Sequence, residues 1–96
     1  MKVWTPLFWA YQNGHIEVVK YLVEHGADIN KEVNVGATPL YIACQNSHIK
    51  VIKYLVELGA DINKRKNDGW SPLIIACFNG NIEVVNYLVV YGADIN

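Results

Sequence analysis

Cys44 and Cys77 stand 33 residues apart, and so do His15 and His48. With His25 and nine acidic residues, these are the side chains able to hold a metal or attack a substrate. Zinc would call for paired cysteines at ligand spacing, and none occur; His15 and His48 occupy the same turn of successive units and are read as structural hydrogen-bonding groups. A cysteine–histidine nucleophile would need both groups within hydrogen-bond reach, and Cys44, inside a first helix, is read as a core residue instead. A glycine-rich phosphate loop, a nucleophile elbow and an acidic pair at one site are all missing from the chain. The residues therefore predict no catalysis, no metal and no cofactor.

The 33-residue spacing is itself the stronger signal. Gly26-Ala27-Asp28-Ile29-Asn30 returns as Gly59-Ala60-Asp61-Ile62-Asn63 and as Gly92-Ala93-Asp94-Ile95-Asn96. A fixed period of this size means one supersecondary unit used repeatedly, each burying its apolar face against a neighbour. Residues 31–63 and 64–96 agree at 19 of 33 positions. The reading is one domain over residues 1–96, with a shortened first repeat at 1–30 and full repeats at 31–63 and 64–96.

The period also fixes the local elements. Thr5-Pro6, Thr38-Pro39 and Ser71-Pro72 each predict a helix start, since the hydroxyl accepts an orphan amide hydrogen bond and proline suits the first helical position. Each helix should end about eight residues on, at Asn13-Gly14, Asn46-Ser47 and Asn79-Gly80, where the left-handed backbone is tolerated. A second helix follows, with Ile16, Val19, Leu22 and Val23 as its apolar stripe and Glu17, Lys20 and Glu24 opposite. It stops at Gly26, Gly59 or Gly92. Such helices fall below the ~12–15 residues needed for marginal stability alone, so they must exist through stacking. Between units, 31–37 and 64–70 predict hairpin-like excursions, the second turning at Asn67-Asp68-Gly69. Asp28, Asp61 and Asp94 are read as parts of a shared turn.

Cys44 and Cys77 sit at equivalent places in successive units. Packed helices lie ~8–10 Å apart and a disulfide needs Cα atoms within ~7 Å, so both are expected reduced and buried. That favours an intracellular location, cytoplasmic or nuclear. Net charge is −1, which lacks the basic footprint of a nucleic-acid binder; Lys64-Arg65-Lys66 is read as a solvated loop. No apolar stretch approaches the ~20 residues of a membrane span, so no membrane partner is expected.

Thr38-Pro39-Leu40, Ala43, Asn46, His48, Ile49, Val51, Leu55 and Gly59 through Asn63 together resemble the ankyrin repeat, and the resemblance covers the whole chain. It implies an all-α solenoid of stacked helix-turn-helix units with hairpin-like loops. It also implies a non-catalytic module that binds another protein through a concave surface of loops and first helices. The fourth place of the family's T-P-L-H motif is Phe8, Tyr41 and Ile74 here, so all three copies lack its histidine. By resemblance alone, Asn30, Asn63 and Asn96 stand where ankyrin asparagines are hydroxylated in animal cells.

Binding residues are sought where the copies differ while the frame repeats. Before each helix start stand Trp4, Ala37 and Trp70, and two residues earlier Lys2, Val35 and Asp68; late in the first helix come Gln12, Gln45 and Phe78. Trp70 and Phe78 are expected on one patch with Asp68 at its edge, and tryptophan is enriched among energetic contacts. Trp9 and Tyr11 are read as large side chains closing the N-terminal face. At the other end Val90 and Tyr91 replace charged or smaller residues, suggesting an uncapped face for self-association, a homodimer, or further repeats of a longer array.

Overall fold

The computed structural model describes residues 5–33 and 35–96. Six short helices follow one another in pairs: α1 (Pro6–Asn13) with α2 (Ile16–Glu24), α3 (Pro39–Gln45) with α4 (Ile49–Glu57), and α5 (Pro72–Asn79) with α6 (Ile82–Val90). Among the described residues there is no strand. Each pair packs internally, α1 also packs on α3, α3 on α5, and α2 on α4. The fold is an all-α stack along one direction.

The first helices begin for the reason their sequences state. Thr5 Oγ1 accepts from Phe8 N at 3.0 Å, Thr38 Oγ1 from Tyr41 N at 3.3 Å and Ser71 Oγ from Ile74 N at 3.2 Å, each satisfying an amide the helix itself cannot. Gly14 and Gly80 end α1 and α5 in the left-handed region, both at φ 69°. The middle pair uses Ser47 there, at φ 56°, a conformation that costs an L residue about 1–2 kcal/mol.

The second helices bury one stripe. Val19, Val51, Leu55, Val84 and Leu88 are fully buried, while Glu17, Glu24, Lys53 and Glu57 face solvent. Burying a side chain of this kind contributes about 1.5–3 kcal/mol, and this packing, not helix propensity, holds helices of nine residues. Past each helix the chain doubles back: Ala27 N donates to Leu22 O at 3.1 Å, Ala60 N to Leu55 O at 3.0 Å and Ala93 N to Leu88 O at 2.9 Å. The aspartates then act as the turn demands. Asp28, Asp61 and Asp94 each accept from the amide two residues on, at 2.9, 3.0 and 3.0 Å.

Polar rungs join the pairs. Asn30 Oδ1 accepts from Asp61 N at 3.0 Å and Asn63 Oδ1 from Asp94 N at 2.8 Å. Asn46 Nδ2 donates to Gln12 Oε1 at 3.3 Å, and Asn79 Nδ2 to Gln45 O at 3.0 Å. The histidine places differ. Asn81 caps α6 by accepting from Val84 N at 3.2 Å, whereas His48 makes no cap and its Nε2 lies 2.8 Å from Gln12 O. His15 is exposed at the start of α2.

Three expectations are corrected. Tyr11 does not close the N-terminal face: it is completely buried, because its place in the helix points toward the following pair, as Cys44 does. Cys77 is exposed rather than buried, since among the described residues no pair lies beyond α5 and α6 to cover that place. Ala37 is 1% exposed, so it cannot contact a partner; it lies at the base of its hairpin, where its carbonyl accepts from Val33 N at 2.7 Å. The two cysteines are unbridged, and burial pushes the Cys44 thiol up to about 12.

Candidate functional site

The second hairpin, 64–70, is tied down by its own backbone and side-chain hydrogen bonds. Lys66 N donates to Trp70 O at 2.8 Å and Gly69 N to Lys66 O at 2.9 Å, which closes the turn. Asp68 accepts from Trp70 N at 3.1 Å and pairs with Lys66 Nζ at 3.1 Å. Arg65 Nη1 donates to Gly69 O at 2.7 Å. The Trp70 amide, then the Lys66 ammonium, holds the Asp68 carboxyl below its ordinary range. Lys66 Nζ also sits 5.1 Å from the centre of the Tyr41 ring, within cation–π range, and so ties the hairpin to α3.

This scaffold sets Trp70 against α5. The Trp70 and Phe78 rings meet edge to face with centroids 5.5 Å apart, a favoured aromatic geometry. Trp70 is half-buried, and Phe78 is 74% exposed. The juxtaposition across eight residues of chain agrees with the sequence reading, as does Asp68 at its edge. A separate hollow of about 190 Å³, whose lining includes neither Trp70 nor Phe78, opens between the hairpins and the first helices and is lined by Gln12, Val35, Tyr41, Gln45 and Lys66 among others.

The remaining sequence candidates fall out unevenly. Gln45 and Val35 are exposed beside the hollow, and Gln12 is half-buried, with its side chain and carbonyl already engaged by Asn46 and His48. Val35 adopts φ 42°, rare for a β-branched residue, and its carbonyl accepts from Asn67 N at 3.2 Å, linking the two hairpin tips. Lys2 and Trp4 lie outside the described residues. Val90 and Tyr91 are 69% and 55% exposed, with the Tyr91 ring tilted at 34° against that of Tyr87, centroids 4.5 Å apart. Their counterparts Glu57 and Leu58 are exposed as well, although a pair stacks beyond them.

Sequence reasoning missed Lys66 and Tyr41. The basic run was read as solvent-facing, and Lys64 and Arg65 are exposed, but Lys66 is half-buried. The available signal was Asp68 two residues on, which a tight turn brings to the same side as Lys66. No group of three or more metal-ligating side chains occurs among the described residues. No helix there is long and apolar enough to cross a membrane.

Comparison with known proteins agrees with this architecture. A family model described as ankyrin repeats, in three copies, matches residues 2–66 and 32–96. A putative ankyrin repeat protein, L25, of Acanthamoeba polyphaga mimivirus is 68% identical over 25 residues, covering 26% of this chain and 8% of that protein. Alpha-latrotoxin-Lh1a of Latrodectus hasselti is 50% identical over 34 residues, 35% of this chain and 2% of that protein. The chain thus matches only a small fraction of either relative's length. The repeated Thr/Ser-Pro-Leu starts, the paired helices, the Gly-Ala-Asp-Ile-Asn turns and the family match place the chain in the ankyrin-repeat family.

Proposed function

We propose that this chain is a non-catalytic interaction module that holds another protein on the surface formed by its hairpins and first helices, with Trp70 and Phe78 as the energetic centre. Ankyrin repeats are in general protein–protein interaction modules. The observation that carries the local reading is the Trp70–Phe78 pair. A large aromatic, 74% exposed, is held against a second one by a hairpin whose polar groups are tied down, so little side-chain freedom remains to be lost on binding. Exposed apolar groups of this kind favour a partner that contributes an apolar side chain.

Capture of proteins from the source cell by the intact chain, beside Trp70→Ala and Phe78→Ala versions shown by circular dichroism to be equally folded, tests this. A partner retained by the intact chain and lost with both versions supports the reading. Equal capture by all three would remove it. A second reading, that the end of the stack rather than its concave side makes the main contact, is favoured by the apolar side chains uncovered on and just past the last helix pair: Ile74, Ile82 and Val89, with Ile95 in the turn after α6, are 37–77% exposed.

A further inference from the structure

Lys66 is held further out of water than its neighbour in the basic run. Its side chain is 19% exposed, against 46% for Lys64, and its ammonium lies over the Tyr41 ring at 5.1 Å. An ammonium in such a place needs its three hydrogens matched. Among the described residues one carboxylate reaches it, Asp68 at 3.1 Å, and that carboxylate is 54% exposed and shared with the Trp70 amide. Water therefore screens Asp68 more than it screens Lys66.

That imbalance falls on the hollow of about 190 Å³ between the hairpins and the first helices. Of its nine described lining residues Lys66 alone is charged, and Asp68 is not among them. Val35, Ala37, Tyr41 and Ile42 give it an apolar wall, which concentrates the field of the ammonium instead of letting solvent disperse it. Gln45, exposed on the same lining, makes no hydrogen bond through its carboxamide among the described residues, so an amide donor is free for a second bond. A single ammonium and an amide lining one hollow match the single charge and two oxygens of a carboxylate; a phosphate would call for clustered cations.

We propose that this hollow takes the carboxylate of a glutamate or aspartate side chain of the bound protein, on Lys66 and Gln45. The inference rests on the concave-surface reading and adds to it. One hairpin sets Trp70 against α5 and Lys66 against α3, so the partner brings an apolar group to the first and an acidic one to the second. Asp68 then competes with the incoming carboxylate for the ammonium, and removing its charge favours the partner.

Random peptides displayed on phage and selected on the full chain supply the probe. The selected peptides should share an acidic residue at one aligned position, and changing it to the matching amide should weaken binding by about tenfold, as the loss of a charge-assisted hydrogen bond requires. That difference should vanish on Lys66→Gln and persist on Lys64→Gln, which removes the same charge from an exposed neighbour. The amide peptide should bind Lys66→Gln as it binds the unaltered chain, which also shows that the variant is folded. On Asp68→Asn the acidic peptide should bind more tightly. A Lys66–Asp68 pair that only shapes the hairpin would instead make Asp68→Asn and Lys66→Gln weaken it alike, and that result would overturn the proposal. So would peptides with no acidic preference, or a preference untouched by Lys66→Gln. Trp70→Ala addresses the wider reading separately: it should weaken the acidic peptide and its amide counterpart equally, and if it weakens neither, the apolar centre is removed while the acidic site stands.

Discussion

His48 Nε2 lies 2.8 Å from the backbone oxygen of Gln12, and the same imidazole occupies the space into which a side chain at Gly14 would project. One residue of the second repeat thus closes the end of the first helix of the first repeat. Gly80 has the same backbone angle, φ 69°, but nothing lies within 4 Å of where its side chain would go.

The two glycines therefore separate backbone strain from packing. Gly80→Ala should lower stability by about 1–2 kcal/mol, the left-handed penalty alone. Gly14→Ala should cost that and a further ~1 kcal/mol, because the His48 ring must move and its hydrogen bond is lost. Urea unfolding of both variants checks the difference, and equal losses would show that His48 yields freely.

Ser47 occupies the same left-handed place with an L side chain, at φ 56°. Ser47→Gly relieves the strain at an exposed position. A gain of about 1 kcal/mol is expected, appearing in thermal unfolding as a rise of roughly 4–8 °C for a chain of this size.

Asn63 both accepts from Asp94 N at 2.8 Å and donates to Gly92 O at 3.3 Å. Asn63→Ala should cost about 1 kcal/mol and loosen the last helix pair first, so amide exchange should quicken across α6 before it does in α4. Asn96, whose amide donates to Asp94 at 3.0 Å but whose side chain bonds no further unit among the described residues, should be replaceable by alanine without a measurable change.

The cysteines should behave as two different groups. At pH 8 a thiol reagent should modify exposed Cys77 promptly and reach Cys44 only when the stack opens. Burial keeps the folded Cys44 thiol protonated up to about 12, whereas in the unfolded chain it ionises near 9.0. Above pH 9 the unfolded state therefore loses a proton that the folded state keeps. Stability should fall with a slope of about 1.4 kcal/mol per pH unit from this group. Tyr11, raised by burial from 10.0 to about 12, adds to the slope from pH 10. Cys44→Ala should move the start of the alkaline loss upward by about one pH unit, read by denaturant midpoints between pH 8 and 11.

Much of this molecule was determined by short-range rules in the sequence alone. Thr5, Thr38 and Ser71 cap helices because a hydroxyl before proline has an amide within reach whatever the rest of the chain does. Asp28, Asp61 and Asp94 make their turns with the amide two residues on for the same reason, and the 33-residue period made a linear stack unavoidable. The pairing of Trp70 with Phe78 was legible too, because a hairpin that returns to its own helix brings those places together.

Only the tertiary structure decided which side of each helix faces which neighbour. A helix eight residues long presents Tyr11 and Trp9 on different sides, and whether either is inner or outer depends on the direction in which the next pair stacks. That direction buries Tyr11, leaves Trp9 half in solvent and exposes Cys77 where its twin Cys44 is sealed. Ala37 and Lys66 were settled in the same way. The loop sequence marks a turn, but the height of the hairpin above α3 determines that Ala37 is covered and that the Lys66 ammonium rests on the Tyr41 ring.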